Sequence, residues 1–153
     1  MDALEAAALA RGKEFFSSGL AYAIEHGTRP GTIGLVLSSS PLALLAWIGE
    51  KMLEWTDEDP SIDHILRWIT LYWLTDSFPR CIYPYRAIFG SGQPRQKSVY
   101  VSKPSGYTFM PKELSPVPLS WAGETANIVS YRQHEQGGHF AVRSFALIEC
   151  NML

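Results

Sequence analysis

The stretch "EQGGHFAV", residues 135–142, sets a histidine directly behind two glycines. A glycine pair lets the backbone pass closer to its neighbours than any side chain would allow. His139 is therefore a candidate for an imidazole held against something, and imidazole suits general-base work near neutral pH. A base of this kind needs a carboxylate to fix its ring tautomer, and Glu113 in "FMPKEL" is the candidate. An acid and then a histidine, each on a loop after a late strand, is the order found in hydrolases that work through a covalent intermediate. Loop carboxylates and histidines are common, so spacing alone leaves a structural role open for both. "HEQGGH" sets His134 and His139 five apart, whereas a helix-borne zinc pair needs four, and Gly137-Gly138 would break such a helix. No metal is expected here.

The elements that must position these residues are legible in outline. Residues 3 to 26 are rich in Ala, Leu, Glu and Phe and read as helix, weak at "SSG" 17–19 and closing at Gly27 and Pro30. Ser40 is a plausible N-cap with Pro41 at the first helical position, and the apolar residues of "LALLAWIGEKMLEW" are dense enough to imply a well-buried helix. A third helix fits "SIDHILRWITLYWLTD", where Ile62, Ile65, Trp68 or Ile69, and Tyr72 keep the 3-4 spacing. The acids of "DEDP" ahead of it read as a solvated helix lead, with too few alternating oxygens for a calcium loop. After residue 90 the composition changes. "GSGQPRQK" reads as a loop, and "SVYVS" and "ANIVSYRQ" (126–133) read as strands separated by the Pro-rich "MPKELSPVP".

With 153 residues, 46% of them hydrophobic, and a formal net charge of −2, the chain suits one soluble unit and offers no electrostatic case for nucleic acid or an acidic membrane. Two cysteines, Cys81 and Cys150, are too few for a disulfide framework, and no signal segment opens the sequence, so a cytoplasmic location is expected. The most apolar run, "TIGLVLSSSPLALLAWIG", is broken by three serines and Pro41 and falls short of the roughly 20 residues of a membrane span.

The wording of four motifs goes further. "YAIEHGTRPGTIGLVLSSSPLALLAWIGEKMLEWTDEDP", "LYWLTDSFPRCIYPYR", "FMPKELSPVPLSW" and "GGHFA" resemble the fungal epoxide hydrolases of the microsomal type, within the α/β hydrolase fold. The resemblance implies an α/β class chain holding only the C-terminal half of that fold, with the N-terminal core half missing. The helical lid and adjoining core helix region would take residues 1–92, and the last core strands, with the acid and histidine loops, residues 93–153. His139 matches the catalytic base and Glu113 the acid that orients it. Tyr22 and Tyr85 match the two lid tyrosines that donate to the epoxide oxygen, where ring opening develops negative charge. Tyr83, two residues from Tyr85, is the rival for that role, and Tyr83 and Trp47 are expected to bind substrate. Lid packing is the alternative for each tyrosine. The reaction uses no cofactor.

Two features of the family are not found. Asp2, Asp57, Asp59, Asp63 and Asp76 lie in helix leads or ends, without the Gly-flanked elbow that carries the nucleophilic aspartate, and no His-Gly-x-Pro oxyanion motif is present. The segment "RSFALIECNML" likewise departs from the family's amphipathic C-terminal helix. Three functions follow: hydrolysis of an apolar epoxide with a nucleophile from elsewhere, an inactive module binding apolar ligands, or a slow direct attack of His139-activated water. A homo-oligomer or a full-length relative is the expected partner of an open sheet edge.

Overall fold

The computed structural model describes residues 1–89 and 99–140. The loop read at 90–97 and the tail after residue 140, with Cys150, lie outside the described residues. The chain separates into two compact units that do not follow one cut in the sequence. One comprises Ser18–Glu54 and Glu58–Arg95, the other Met1–Ser17, Trp55–Asp57 and Gln96–Leu153.

The first unit is helical: α2 (Ala21–Thr28), α3 (Pro30–Ser38), α4 (Pro41–Glu54), α5 (Ile62–Thr75), α6 (Phe78–Cys81) and α7 (Tyr85–Phe89). Pro30 does not end helix here. It occupies the first position of α3, where its missing N–H needs no partner. Between α3 and α4 the axis bends by 115°, and Ser40 Oγ accepts the Ala43 N–H at 3.3 Å as the cap of α4. The α4 helix buries Leu44, Gly49 and Met52 but leaves Leu42 and Leu53 exposed, so it is less enclosed than its composition suggests. In α5, capped by Ser61, the inward line is Ile65 and Ile69 with Tyr72 half-buried, whereas Ile62 and Trp68 face outward. The core gathers Ile33, Leu37, Leu44, Met52, Ile65, Ile69, Phe78 and Ile82. Each large side chain buried here stabilises the unit by about 1.5–3 kcal/mol. No single described helix is long and apolar enough to cross a membrane, although α3 and α4 pass that test as a bent pair.

The second unit pairs two strands, β1 (Val101–Phe109) and β2 (Ala126–Gln133), with α1 (Ala3–Glu14) and the short α8 (Leu119–Gly123). The strands are parallel, with Tyr107 opposite Tyr131 and Phe109 opposite Gln133. A parallel pair needs a crossover of a dozen or more residues, and the segment between the strands, with α8 inside it, supplies one. β1 starts later and runs further than "SVYVS" suggests. It carries Pro104 and Gly106, with register irregularities on either side of Pro104, which is how a strand tolerates a missing donor. A capping box between Asp2 and Glu5 opens α1. The same two side chains accept from Gln133 Nε2 at 3.1 Å and from the Leu119 N–H at 3.2 Å, which ties α1 to β2 and α8.

Candidate active site

Each unit holds one cluster of chemical interest. In the strand unit, Glu113 lies just beyond the C-terminal end of β1 and His139 just beyond that of β2. This is the edge of a parallel sheet where ligands gather in α/β folds. Past the strand ends the parallel pairing is renewed by a bridge between Lys112 and Gly138, with the Lys112 N–H donating to Gly137 O at 2.9 Å. That bridge sets the two loops side by side. His139 Nδ1 and Glu113 Oε1 stand 2.7 Å apart. Glu113 Oε1 also accepts the Leu114 N–H at 2.6 Å.

Burial works to raise the Glu113 pKa, but the hydrogen bonds from His139 and Leu114 and the charges of His139 and Arg11 outweigh it and hold the carboxyl below its ordinary value. Glu113 is thus a carboxylate at neutral pH and can only accept. In the neutral ring the proton therefore resides on His139 Nδ1 and the lone pair on Nε2. The imidazole is partly open to solvent, so water can reach it. Chemically, that arrangement can act as a general base with its tautomer fixed.

In the helical unit the cluster forms around α2 and α7. The rings of Tyr22 and Tyr85 lie 5.9 Å apart at 74°. Burial first, and then the hydrogen bond to Tyr85 and its proximity, push the Tyr22 phenol far above its usual value, so it remains a proton-bearing donor. Gly27 makes this pairing possible, because a Cβ there would stand 2.6 Å from Phe89 Cβ and 3.0 Å from Tyr85 O. Tyr83 is exposed, 49% by area, and stands apart from the ring contacts that join Tyr85 to Tyr22.

Beneath the tyrosines sits His26, which spacing did not single out. It is 4% exposed, with its ring 5.0 Å from that of Tyr85 and 5.6 Å from that of Tyr22. The Trp47 indole N–H donates to His26 Nε2 at 3.1 Å, so the His26 proton is on Nδ1, which has no hydrogen-bond partner among the described residues. Burial and then the Lys51 charge press its pKa down and keep it neutral. Lys51 itself pairs with Glu50 and lies over the Tyr22 ring at 5.0 Å from the centroid. Tyr22, Trp47, Ile33, Glu25 and Lys51 line a cleft of about 580 Å³. Trp47 thus presents ring surface to a cavity while its N–H is committed to His26. The signal for His26 was its place four residues after Tyr22, one helical turn on the same face.

The aspartates have other partners. Asp2 caps α1, Asp63 lies in the first turn of α5, and Asp76, in the left-handed conformation that ends α5, pairs with Arg80 at 3.4 Å. Asp57 Oδ2 accepts the Gly137 N–H at 2.8 Å, so the segment "DEDP" is more than a solvated lead. No group of three or more His, Cys, Asp or Glu among the described residues could hold a metal ion.

No family model matches the chain. The solved epoxide hydrolase of Aspergillus niger superposes with a TM-score of 0.86 at 49% identity, covering 98% of this chain and 40% of that one. A Dothistroma septosporum protein provisionally named an epoxide hydrolase is 52% identical over 143 residues, 92% of this chain and 34% of that protein. Epoxide hydrolase 1 of Sus scrofa is 32% identical over 131 residues, 76% of this chain and 29% of that protein. The chain spans about a third of the length of these curated relatives. A helical unit joined to a parallel strand pair that ends in an acid and a histidine is a partial α/β hydrolase fold, and this chain belongs to the epoxide hydrolase family as its C-terminal part.

Proposed function

We propose that the chain contributes the donor tyrosines and the water-activating base of an enzyme that hydrolyses apolar epoxides to vicinal diols. The observation that carries this reading is the 2.7 Å contact between His139 Nδ1 and Glu113 Oε1, which leaves Nε2 as a free base. In the first step a carboxylate oxygen attacks an epoxide carbon and the carbon–oxygen bond breaks. The ring oxygen takes a proton from Tyr22 or Tyr85, and an ester remains. In the second, His139 removes a proton from water, the hydroxide adds to the ester carbonyl carbon, and the ester C–O bond breaks to release the diol with one oxygen from the carboxylate and one from the ring. The proton of the added hydroxyl passes to the leaving oxygen, and the imidazolium proton returns to the tyrosinate. Glu113 keeps the imidazole oriented and offsets the charge it gains. Each of the chain's five aspartates sits in a helix lead or end, so the carboxylate nucleophile of this scheme is supplied by residues other than these. The helical unit would then act as lid and the strand unit as the closing part of the core, with Trp47 and Tyr83 as apolar contacts to substrate.

A second reading is an inactive module that binds apolar ligands or docks on a second copy or a full-length relative. The exposed strand pair favours it, since most of β1 and much of β2 remain open to solvent. Turnover of a styrene-oxide-like substrate by an enzyme completed with an upstream half, set against His139→Ala in the same enzyme, decides between them. Loss in the variant supports the first reading and equal turnover the second, whereas the 153-residue chain alone tests only whether it carries a nucleophile. With no nucleophile of its own the chain should match the variant, and a clear excess would overturn that expectation. Where activity exists, one turnover in heavy-oxygen water identifies the route. Label in a protein carboxylate marks the alkyl–enzyme ester, and label in the diol alone marks direct attack by water.

A further inference from the structure

We propose that the segment Trp55–Asp57, and Asp57 in particular, is the positioning device of His139, because three of its groups fix the "GGH" turn from outside. The inference rests on reading His139 as the water-activating base. The Asp57 carboxylate accepts the Gly137 N–H at 2.8 Å. The Trp55 carbonyl accepts the His139 N–H at 2.9 Å. The Trp55 ring meets the imidazole edge-on at 5.2 Å and stacks on Phe140 at 6.3 Å.

This is closer contact than a passing loop requires. A Cβ on Gly138 would stand 2.6 Å from the Trp55 carbonyl oxygen, and Gly137 has a φ of 115°, so only a glycine pair lets the turn reach that segment. The opposite side of the turn is tied to the acid loop through Lys112 N–H and Gly137 O. Gly137 is therefore gripped at both ends of one residue: its N–H by Asp57 and its C=O by the backbone next to Glu113. With the turn held on both sides, the His139 ring meets the rings of Trp55 and Phe140 and the carboxylate of Glu113. Asp57 acts on His139 through the Gly137 N–H, so its role is positioning. The segment carries this role although it follows directly on α4 of the helical unit.

The test reads the turn itself, without turnover. In Asp57→Ala the amides of Gly137 and His139 should exchange with solvent roughly tenfold faster or more, on the scale of losing one buried hydrogen bond. The carboxyl of Glu113, followed by carbon NMR, should titrate closer to its ordinary value because its imidazole partner is no longer held. Asp57→Asn keeps an acceptor oxygen at the same reach and should restore both readouts to near the parent. Should Asp57→Ala fail to fold, Asp57→Ser answers the same question with a side chain too short to reach Gly137. Unchanged exchange and an unchanged Glu113 titration in the Ala or Ser variant would overturn the proposal, as would equal disruption by Asn and Ala. A chain without turnover in any form would sink the hydrolase reading and leave these results standing.

Discussion

Gly27 of α2 and Phe89 of α7 approach so closely that a Cβ on the glycine would lie 2.6 Å from the Phe89 Cβ. Gly27→Ala must push α7 away, and overpacking of this kind costs about 1–3 kcal/mol. Gly31, with nothing within 4 Å of its Cβ position, lies in α3. Gly31→Ala should be neutral or stabilise by about 0.5–1 kcal/mol. Paired thermal melts check the contrast, and equal effects of the two would show that the α2–α7 approach is not tight.

Removing one phenol tests the tyrosines. In an enzyme completed with an upstream half, Tyr22→Phe and Tyr85→Phe should each lower kcat/KM by about 1–4 kcal/mol in transition-state stabilisation, with folding little changed. Tyr83→Phe should behave as the parent, its side chain being outside the pair. Loss in Tyr83→Phe with full activity in Tyr85→Phe would reverse that assignment.

Acid should weaken the two units at different pH. Burial and the Lys51 charge set the folded His26 below its ordinary 6.5, so the preference for the neutral ring is fully present above that value and is lost as pH falls through the lower folded one. Burial alone would raise the Glu113 carboxyl, but its partners set it below the ordinary 4.5, so that contribution is complete above 4.5 and fades as pH falls through the depressed value. Melts against pH should therefore flatten between neutral and mildly acid pH in His26→Gln, and only below 4.5 in Glu113→Gln. A profile unaltered by either substitution would count against the burial of His26 and against the hold of Glu113's partners alike.

The strand pair bears on association. Val99, Tyr100, Val101 and Val129 are 84%, 52%, 49% and 64% exposed, and a parallel pair normally has both faces covered. The isolated chain should run in size-exclusion with light scattering as an oligomer or aggregate and bind a hydrophobic dye. A sharp peak at 17.1 kDa with a cooperative melt and no dye binding would refute this.

Much of the helical unit could be read from the sequence: α4 announces itself by its cap, Ser40 before Pro41, and α5 by the 3-4 spacing of Ile65, Ile69 and Tyr72. The α3 helix was hidden by Pro30, which ends one helix and begins another equally well. The α8 helix, five residues in a Pro-rich segment, is too short for a periodic signal. The candidate base and acid were legible from their types and loops, and the glycines signalled that something lay close to His139. What lay close was not legible, since Asp57 and Gly137 are 80 residues apart and only folding joins them. His26 escaped for another reason. Its place four residues after Tyr22 puts it on the same helix face but does not tell a buried, neutral histidine from a surface one.

The ties from α1 to the far end of the chain also order events in synthesis. Residues 18–95 form one nearly continuous stretch of the helical unit, interrupted only by Trp55–Asp57, and can condense as they leave the ribosome. Met1–Ser17 cannot complete its own unit then, because Glu5 waits for the Leu119 N–H and Asp2 for Gln133, 114 and 131 residues later. Synthesis therefore leaves α1 to survive on its capping box, unpacked, until partners 114 and 131 residues further along the chain emerge.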